Sequence, residues 1–215
     1  MIFTNYNSVT ISVTLDEEDV KYCRDLAVKR CKFKKWGDTP YGRGGLNSAK
    51  DPSCTERIGM YGEIAFKVLT GKPIDEKISD KGDSGWDFEF INNNLDVKTQ
   101  KRLADHPKGE FYITATDKNG NLKELRADSY FFGIIASHNG SKTEIDATRV
   151  IVEFHGFISK EDVLKNKEER LAPCISKKFV NMKNYYIKKS ELINPVDFLW
   201  EYRKDLNYKS AGIFV

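Results

Sequence analysis

Five polar side chains with chemistry to offer lie close together in the chain. Asp87, Glu89, Asp96, Lys98 and Gln100 alternate with other residues along two short segments, Trp86-Asp87-Phe88-Glu89-Phe90 and Leu95-Asp96-Val97-Lys98-Thr99-Gln100. Successive side chains of a β-strand point to opposite faces. Trp86, Phe88 and Phe90 then share one face with Leu95, Val97 and Thr99. The three carboxylates, Lys98 and Gln100 share the other. Asn92, Asn93 and Asn94 between the segments signal a hairpin turn. A two-residue loop at Asn92-Asn93 pairs Ile91 with Asn94, so Glu89 is expected opposite Asp96 and Asp87 opposite Lys98. A four-residue loop gives the same pairing, whereas a three-residue loop breaks it.

Like charges facing each other across strands are destabilising. Three carboxylates on one face therefore call for a cation between them. Oxygen-only ligands suit Mg²⁺ or Mn²⁺ rather than zinc. Such an ion polarises a phosphodiester and lowers the pKa of a bound water. A neighbouring lysine orients that water or stabilises the negative charge that develops. The expected chemistry is metal-assisted hydrolysis of a phosphate ester, with Asp87 and Asp96 on the metal and Lys98 beside the water. Gln100, continuing on the same face, is a candidate to contact phosphate or water. The plain alternative for Asp96-Val97-Lys98 taken alone is a solvated strand face with an ion pair.

The arrangement resembles the PD-(D/E)xK nuclease superfamily, whose pattern is an acid on one strand, a turn, and (D/E)xK on the next. Asp87 matches the first acid and Asp96-Val97-Lys98 the triplet. The Gly-rich approach Lys81-Gly82-Asp83-Ser84-Gly85 is similar to phage-type members, while Trp86 stands where the family name has Pro. With the preceding helix, the match covers about a fifth of the chain. The resemblance implies a restriction-endonuclease-like core. It also implies a divalent-metal-dependent DNA endonuclease using Mg²⁺ or Mn²⁺. Family members often place a Glu on the helix before the hairpin, and Glu63 is the counterpart here, as a third metal ligand. The helical wheel instead sets Glu63 with Glu56 and Lys67, away from the stripe of Ile58, Tyr61, Ala65, Val68 and Leu69. Gly59 and Gly62 each cost about 1 kcal/mol relative to Ala in a helix, which implies close approach of another group.

The elements that must position these residues follow from patterning. Residues 8–14 alternate as a strand. A helix capped by Thr14 or Asp16 runs to about Lys35, with acids in its first turn and Lys29, Arg30, Lys32, Lys34 and Lys35 at its end. Residues 37–53 carry loop-forming Gly and Pro, and 55–69 form a second helix closed by Gly71 and Pro73. Strands are expected over 111–115, 130–136, 150–158 and 185–187. Tyr130–Ala136 is continuously apolar and fits a strand buried on both faces. Lys118–Asn121 reads as a turn, and residues 171–190 as otherwise irregular. A short helix starts near Ser159 and a final one at Asn194-Pro195, its buried stripe being Val196, Leu199, Trp200 and Arg203.

The expected architecture is a single α/β domain over residues 1–215 with a central mixed sheet of four to five strands flanked by helices. Its core spans about 55–158, with an N-terminal strand and helix and C-terminal helical additions. Net charge is only +3, too small to argue for a nucleic-acid partner by itself. The basic stretches do: Lys29–Lys35 with Phe33, Trp36 and Tyr41, and Lys177, Lys178, Lys183, Lys188 and Lys189. Cys23, Cys31, Cys54 and Cys174 lack ligand spacing, so no zinc site is expected and reduced, mostly buried thiols are. His106, His138 and His155 lie outside the constellation. The chain shows neither a leader pattern nor a spanning apolar run, giving an expected cytoplasmic protein (host cytoplasm if virus-encoded) without membrane partners. A homodimer is left open. Two rival readings remain: a catalytically inactive nucleic-acid-binding protein on the same fold, and a viral structural or interaction protein.

Overall fold

The structure is a computed structural model. It describes residues 9–33, 53–74, 76, 85–90, 93–101, 110–117, 119–140, 146–166, 168–171 and 182–205. The expected loop at 37–53, the Gly-rich approach before Gly85, Lys34, Lys35, Trp36, Tyr41, His106, Lys177 and Lys178 lie outside those residues.

The element order is β1 (Ile11–Leu15), α1 (Glu17–Phe33), α2 (Ser53–Thr70), β2 (Phe88–Phe90), β3 (Asn93–Lys101), β4 (Glu110–Thr114), β5 (Ser129–His138) and β6 (Val150–Ser159). Then come α3 (Lys160–Asn166), β7 (Glu168–Leu171), β8 (Lys183–Lys188), a 3-10 turn at Lys189–Glu191, and α4 (Pro195–Asp205). Five strands form a mixed sheet in the order β1-β6-β5-β3-β2. β3 and β5 are parallel, and the other neighbours are antiparallel. The protein is therefore α/β with a mixed five-stranded sheet flanked by helices. A second sheet, β4-β8-β7, was not foreseen: β7 (Glu-Glu-Arg-Leu) carries no apolar alternation to announce it.

β5 is buried from Tyr130 to Ile135 because both its faces are covered. Phe131 and Ile135 enter the core under the helices, while Tyr130, Phe132 and Ile134 enter a second core with Phe111, Ile113, Tyr185 and Ile187 of the smaller sheet. Phe66 of α2 centres the first core, 4.7 Å from Phe88 and 5.2 Å from Phe131 between ring centroids. Removing a ring so placed costs about 3–5 kcal/mol.

The caps are local. Asp16, rather than Thr14, caps α1: its Oδ1 accepts the N–H groups of Glu18 and Asp19, both at 3.0 Å. Ser159 Oγ accepts the Asp162 N–H at 3.0 Å at the start of α3, and Asn194 Oδ1 accepts the Val196 N–H at 2.8 Å at the start of α4. The stripe expected on α4 is displaced in part. Phe198 is buried, 4.6 Å from Phe157 and 5.0 Å from Phe131, and Leu199 packs against the core as expected, while Val196 and Trp200 are exposed.

α2 packs between α1 and the sheet. Met60 through Phe66 are buried around the whole helix. A Cβ at Gly62 would stand 1.7 Å from Thr99 Oγ1 and 3.2 Å from Val97 Cγ1, so this glycine lets the helix backbone rest on β3. Among the described residues nothing lies within 4 Å of a Cβ at Gly59, so the close approach expected there is not found. Gly59 lines the cleft described below.

Candidate active site

The hairpin forms, but one turn residue earlier than expected. Phe88 faces Leu95, Glu89 faces Asn94 and Phe90 faces Asn93. The expected pairs Glu89–Asp96 and Asp87–Lys98 are corrected by this register. The ladder stops at Phe88, and Asp87 and Asp96 both line the cleft described below. The displacement leaves every side chain on its expected face, because opposed residues still share a face. Phe88, Leu95 and Val97 are buried, and Asp87, Asp96 and Lys98 turn to the other side.

β2 begins only at Phe88, after a bend at Asp87. The Asp87 N–H donates to the Leu95 carbonyl at 2.9 Å, and Asp87 Oδ2 accepts the Val97 N–H at 2.7 Å. The side chain thus serves the edge of β3 where the strand partner runs out. Gly85, with φ of 91°, makes the turn that delivers Asp87 to this position. On β3, Lys98 Nζ lies 2.5 Å from Asp96 Oδ2. β3 is held in place by β5 and by a reciprocal clip at the strand starts. Asn94 N–H donates to Asp128 Oδ2 at 2.9 Å, and Asp128 N–H donates to the Asn94 carbonyl at 2.7 Å.

Glu63 is brought to the same place, against the wheel reading. It is only 7% exposed, on a helix covered on two sides, whereas Lys67 is exposed. Arg30 of α1 holds it in a fork, Nη1 to Oε1 at 3.1 Å and Nη2 to Oε2 at 3.3 Å. Arg30 had been counted with the basic end of α1 as a nucleic-acid contact. It instead faces inward, one helical step beyond Val20, Cys23 and Ala27, which are all buried. That spacing was the available signal. Lys29 of the same run is exposed.

Glu63, Asp87 and Asp96, with Arg30 and Lys98, line one cleft of about 710 Å³ between α2, β3 and the segment from β4 to β5. Burial holds the Asp87 carboxyl well above the usual carboxylate range, and the charges of Glu63 and Asp96 add to the effect. Lys98 and the Val97 N–H oppose it. Burial also raises Glu63, against the charge and hydrogen bonds of Arg30. Asp87 and Glu63 are therefore both disfavoured as charged carboxylates here. Across the cleft Tyr112 and Tyr130 complete the wall. Both phenols are raised by burial, Tyr130 additionally by Asp96.

Gln100 does not point its amide at a substrate. Its Nε2 donates to the Glu110 carbonyl at 3.0 Å, tying β3 to the start of β4. Glu89 is exposed and is not part of the cleft wall. His155 is half-buried, its ring 5.4 Å from that of Phe111 between centroids, and does not line the cleft. Cys23 is a free, buried thiol pushed upward by burial, while Cys31, Cys54 and Cys174 have no described side chains.

The acids as arranged do not form a finished metal cage: among the described residues, no trio of His, Cys, Asp or Glu is gathered closely enough to hold an ion. The donor chemistry fits a hard divalent cation nevertheless. Oδ2 of Asp87 accepts an N–H and Oδ2 of Asp96 pairs with Lys98, and among the described residues Oδ1 of neither carboxylate is given a partner. Among the described residues no helix is long and apolar enough to cross a membrane. Comparison with known proteins finds no matching family model, curated protein or solved structure.

Proposed function

We propose that the protein hydrolyses DNA phosphodiesters with the help of Mg²⁺ or Mn²⁺, on a core of the restriction-endonuclease type. The observation that carries the reading is the convergence of Asp87, Asp96 and Glu63 with Lys98 on one cleft, where burial and mutual repulsion raise Asp87 and Glu63. Carboxylates held together against their own repulsion are suited to receive a cation. Asp87 and Asp96 would hold it through their remaining oxygens. When bound, the ion supplies charge stabilisation to the phosphate and acidifies a water.

The chain's own residues supply the rest. Lys98, paired to Asp96, offers a positive charge at the cleft edge that steadies an attacking water or the developing phosphorane charge. Arg30 orients Glu63 and opposes the rise that burial imposes on its carboxyl. Glu63 reaches the ion only by giving up part of that fork, so its first role is to set the field around Asp96. Gln100 positions strands and does not touch the reacting atoms.

A second reading, nucleic-acid binding without hydrolysis, is favoured by the protein cations already clasping Glu63 and Asp96. Incubation of the purified protein with plasmid, linear and single-stranded DNA in Mg²⁺, Mn²⁺, Ca²⁺ or EDTA separates the two. Cutting or nicking in Mg²⁺ or Mn²⁺ that stops with EDTA supports hydrolysis. Binding with no cutting in any metal supports the second reading.

A further inference from the structure

The segment between β4 and β5 crosses the mouth of the cleft as a strap with both ends fixed. At one end the Lys123 N–H donates to the Ala115 carbonyl at 2.8 Å, beyond the turn that Asp117 closes by accepting the Asn119 and Asn121 N–H groups. At the other end Asp128 is clipped to Asn94. Between them Leu125 and Ala127 are buried in the second core, so the intervening Arg126 must project outward, onto the cleft that also holds Asp87, Asp96 and Lys98.

A second observation concerns its stem. A Cβ at Gly85 would meet Arg126 Cδ at 2.7 Å and its Cβ at 2.9 Å, so the arginine's methylenes lie along the bare backbone of Gly85, two residues before Asp87. Gly85 therefore has two reasons to be glycine, its positive φ and the room it leaves for this side chain. Among the described residues the Arg126 guanidinium makes no ion pair. A long cation fixed at its base and unspent at its tip, beside acids, is placed to hold an anion that those acids alone would repel.

We propose that Arg126 binds a backbone phosphate of the nucleic-acid strand in the cleft, seated on Gly85 and set across from Lys98. This rests on the nucleic-acid reading of the cleft. Glu124 lines the same cleft. The guanidinium fork matches two phosphate oxygens, and the contact reads no base.

The test is the salt dependence of DNA binding in Ca²⁺, on duplex and single-stranded oligonucleotides of one sequence, with wild type, Arg126→Ala, Arg126→Lys and the remote surface control Lys165→Ala. Arg126→Ala should lower the log–log slope by about 0.9 on duplex or about 0.7 on single strands. Arg126→Lys, which keeps the stem against Gly85 and the charge, should restore it, and Lys165→Ala should leave it unchanged. Wild-type binding with an unaltered slope in Arg126→Ala overturns this proposal and leaves the nuclease reading standing. A slope that Lys fails to restore marks a structural role and overturns it as well. Undetectable DNA binding by wild type at low salt overturns both.

Discussion

Asp87→Asn isolates the electrostatic cost of the acid cluster. Asparagine retains an oxygen to accept the Val97 N–H, so the edge of β3 keeps its partner. The negative charge, which burial, Glu63 and Asp96 all disfavour, is removed. Two unit charges 4 Å apart repel by about 4 kcal/mol at an effective dielectric of 20, an upper limit for either neighbour. Lys98 offsets part of this, and an active-site relief of this kind typically stabilises by about 0.5–2 kcal/mol. For a chain of this length each kcal/mol raises Tm by about 2–4 °C, so metal-free Asp87→Asn should melt a few degrees above wild type at neutral pH. The sign with pH follows from a folded-state pKa above the unfolded one. The carboxyl's contribution to stability is fully present below the unfolded pKa and is lost as pH rises through the folded pKa. The variant's advantage should therefore open as pH rises and close in acid. Saturating Mn²⁺ should reverse the order, because a ligand at 100 times its Kd stabilises wild type by about 2.7 kcal/mol. Calorimetric melts with and without Mn²⁺, across pH, give both readings. A metal-free Asp87→Asn that melts below wild type at neutral pH would refute the electrostatic reasoning and make Asp87 a strand-edge cap.

Three other outcomes are expected. Arg30→Met should destabilise the fold by about 3–5 kcal/mol in urea titrations by stranding Glu63, and Arg30→Met with Glu63→Met should recover most of the loss; no recovery would mean that Arg30 acts by packing alone. Gly62→Ala should destabilise by about 1–3 kcal/mol against Thr99, while Gly59→Ala should stabilise by about 0.5–1 kcal/mol and Gly59→Leu should block cleavage without unfolding. Equal effects at the two glycines would contradict the contrast in their surroundings. Cys23 should resist thiol reagents in the folded protein, its thiol being buried and pushed upward; labelling as fast as in denaturant would contradict this.

The division of the hairpin into an apolar and an acidic face was legible because a two-residue periodicity survives a shift of register that keeps the faces. The register itself was not. Three consecutive asparagines do not say which of them pairs with the first strand, and it is Asn93, opposite Phe90. The burial of Glu63 escaped a helical wheel, which assumes one covered side, whereas α1 and the sheet enclose α2 on two. Arg30 was concealed in a basic run, although its spacing from Val20, Cys23 and Ala27 placed it on the buried stripe. The continuously apolar β5 correctly indicated a strand covered on both faces. What covers the second face, β4 and β8, depends on pairings between residues far apart in sequence, such as Phe111 with Ile187, that no local pattern encodes. Likewise Phe198 wins the core over Trp200 because Phe66, Phe131 and Phe157 surround it.

The most direct test of the proposed hydrolysis pairs two readings on the same preparations of wild type, Asp96→Asn and Lys98→Ala: Mn²⁺ affinity by calorimetry and the single-turnover rate of DNA cleavage. Asp96→Asn should lose both. Lys98→Ala removes the cation at Asp96 Oδ2, so Mn²⁺ affinity should hold or rise while cleavage falls about 10²–10³-fold, or ~2.7–4 kcal/mol. Cleavage by Lys98→Ala at the wild-type rate would make Lys98 a surface lysine and contradict the assignment of this hairpin as a nuclease site.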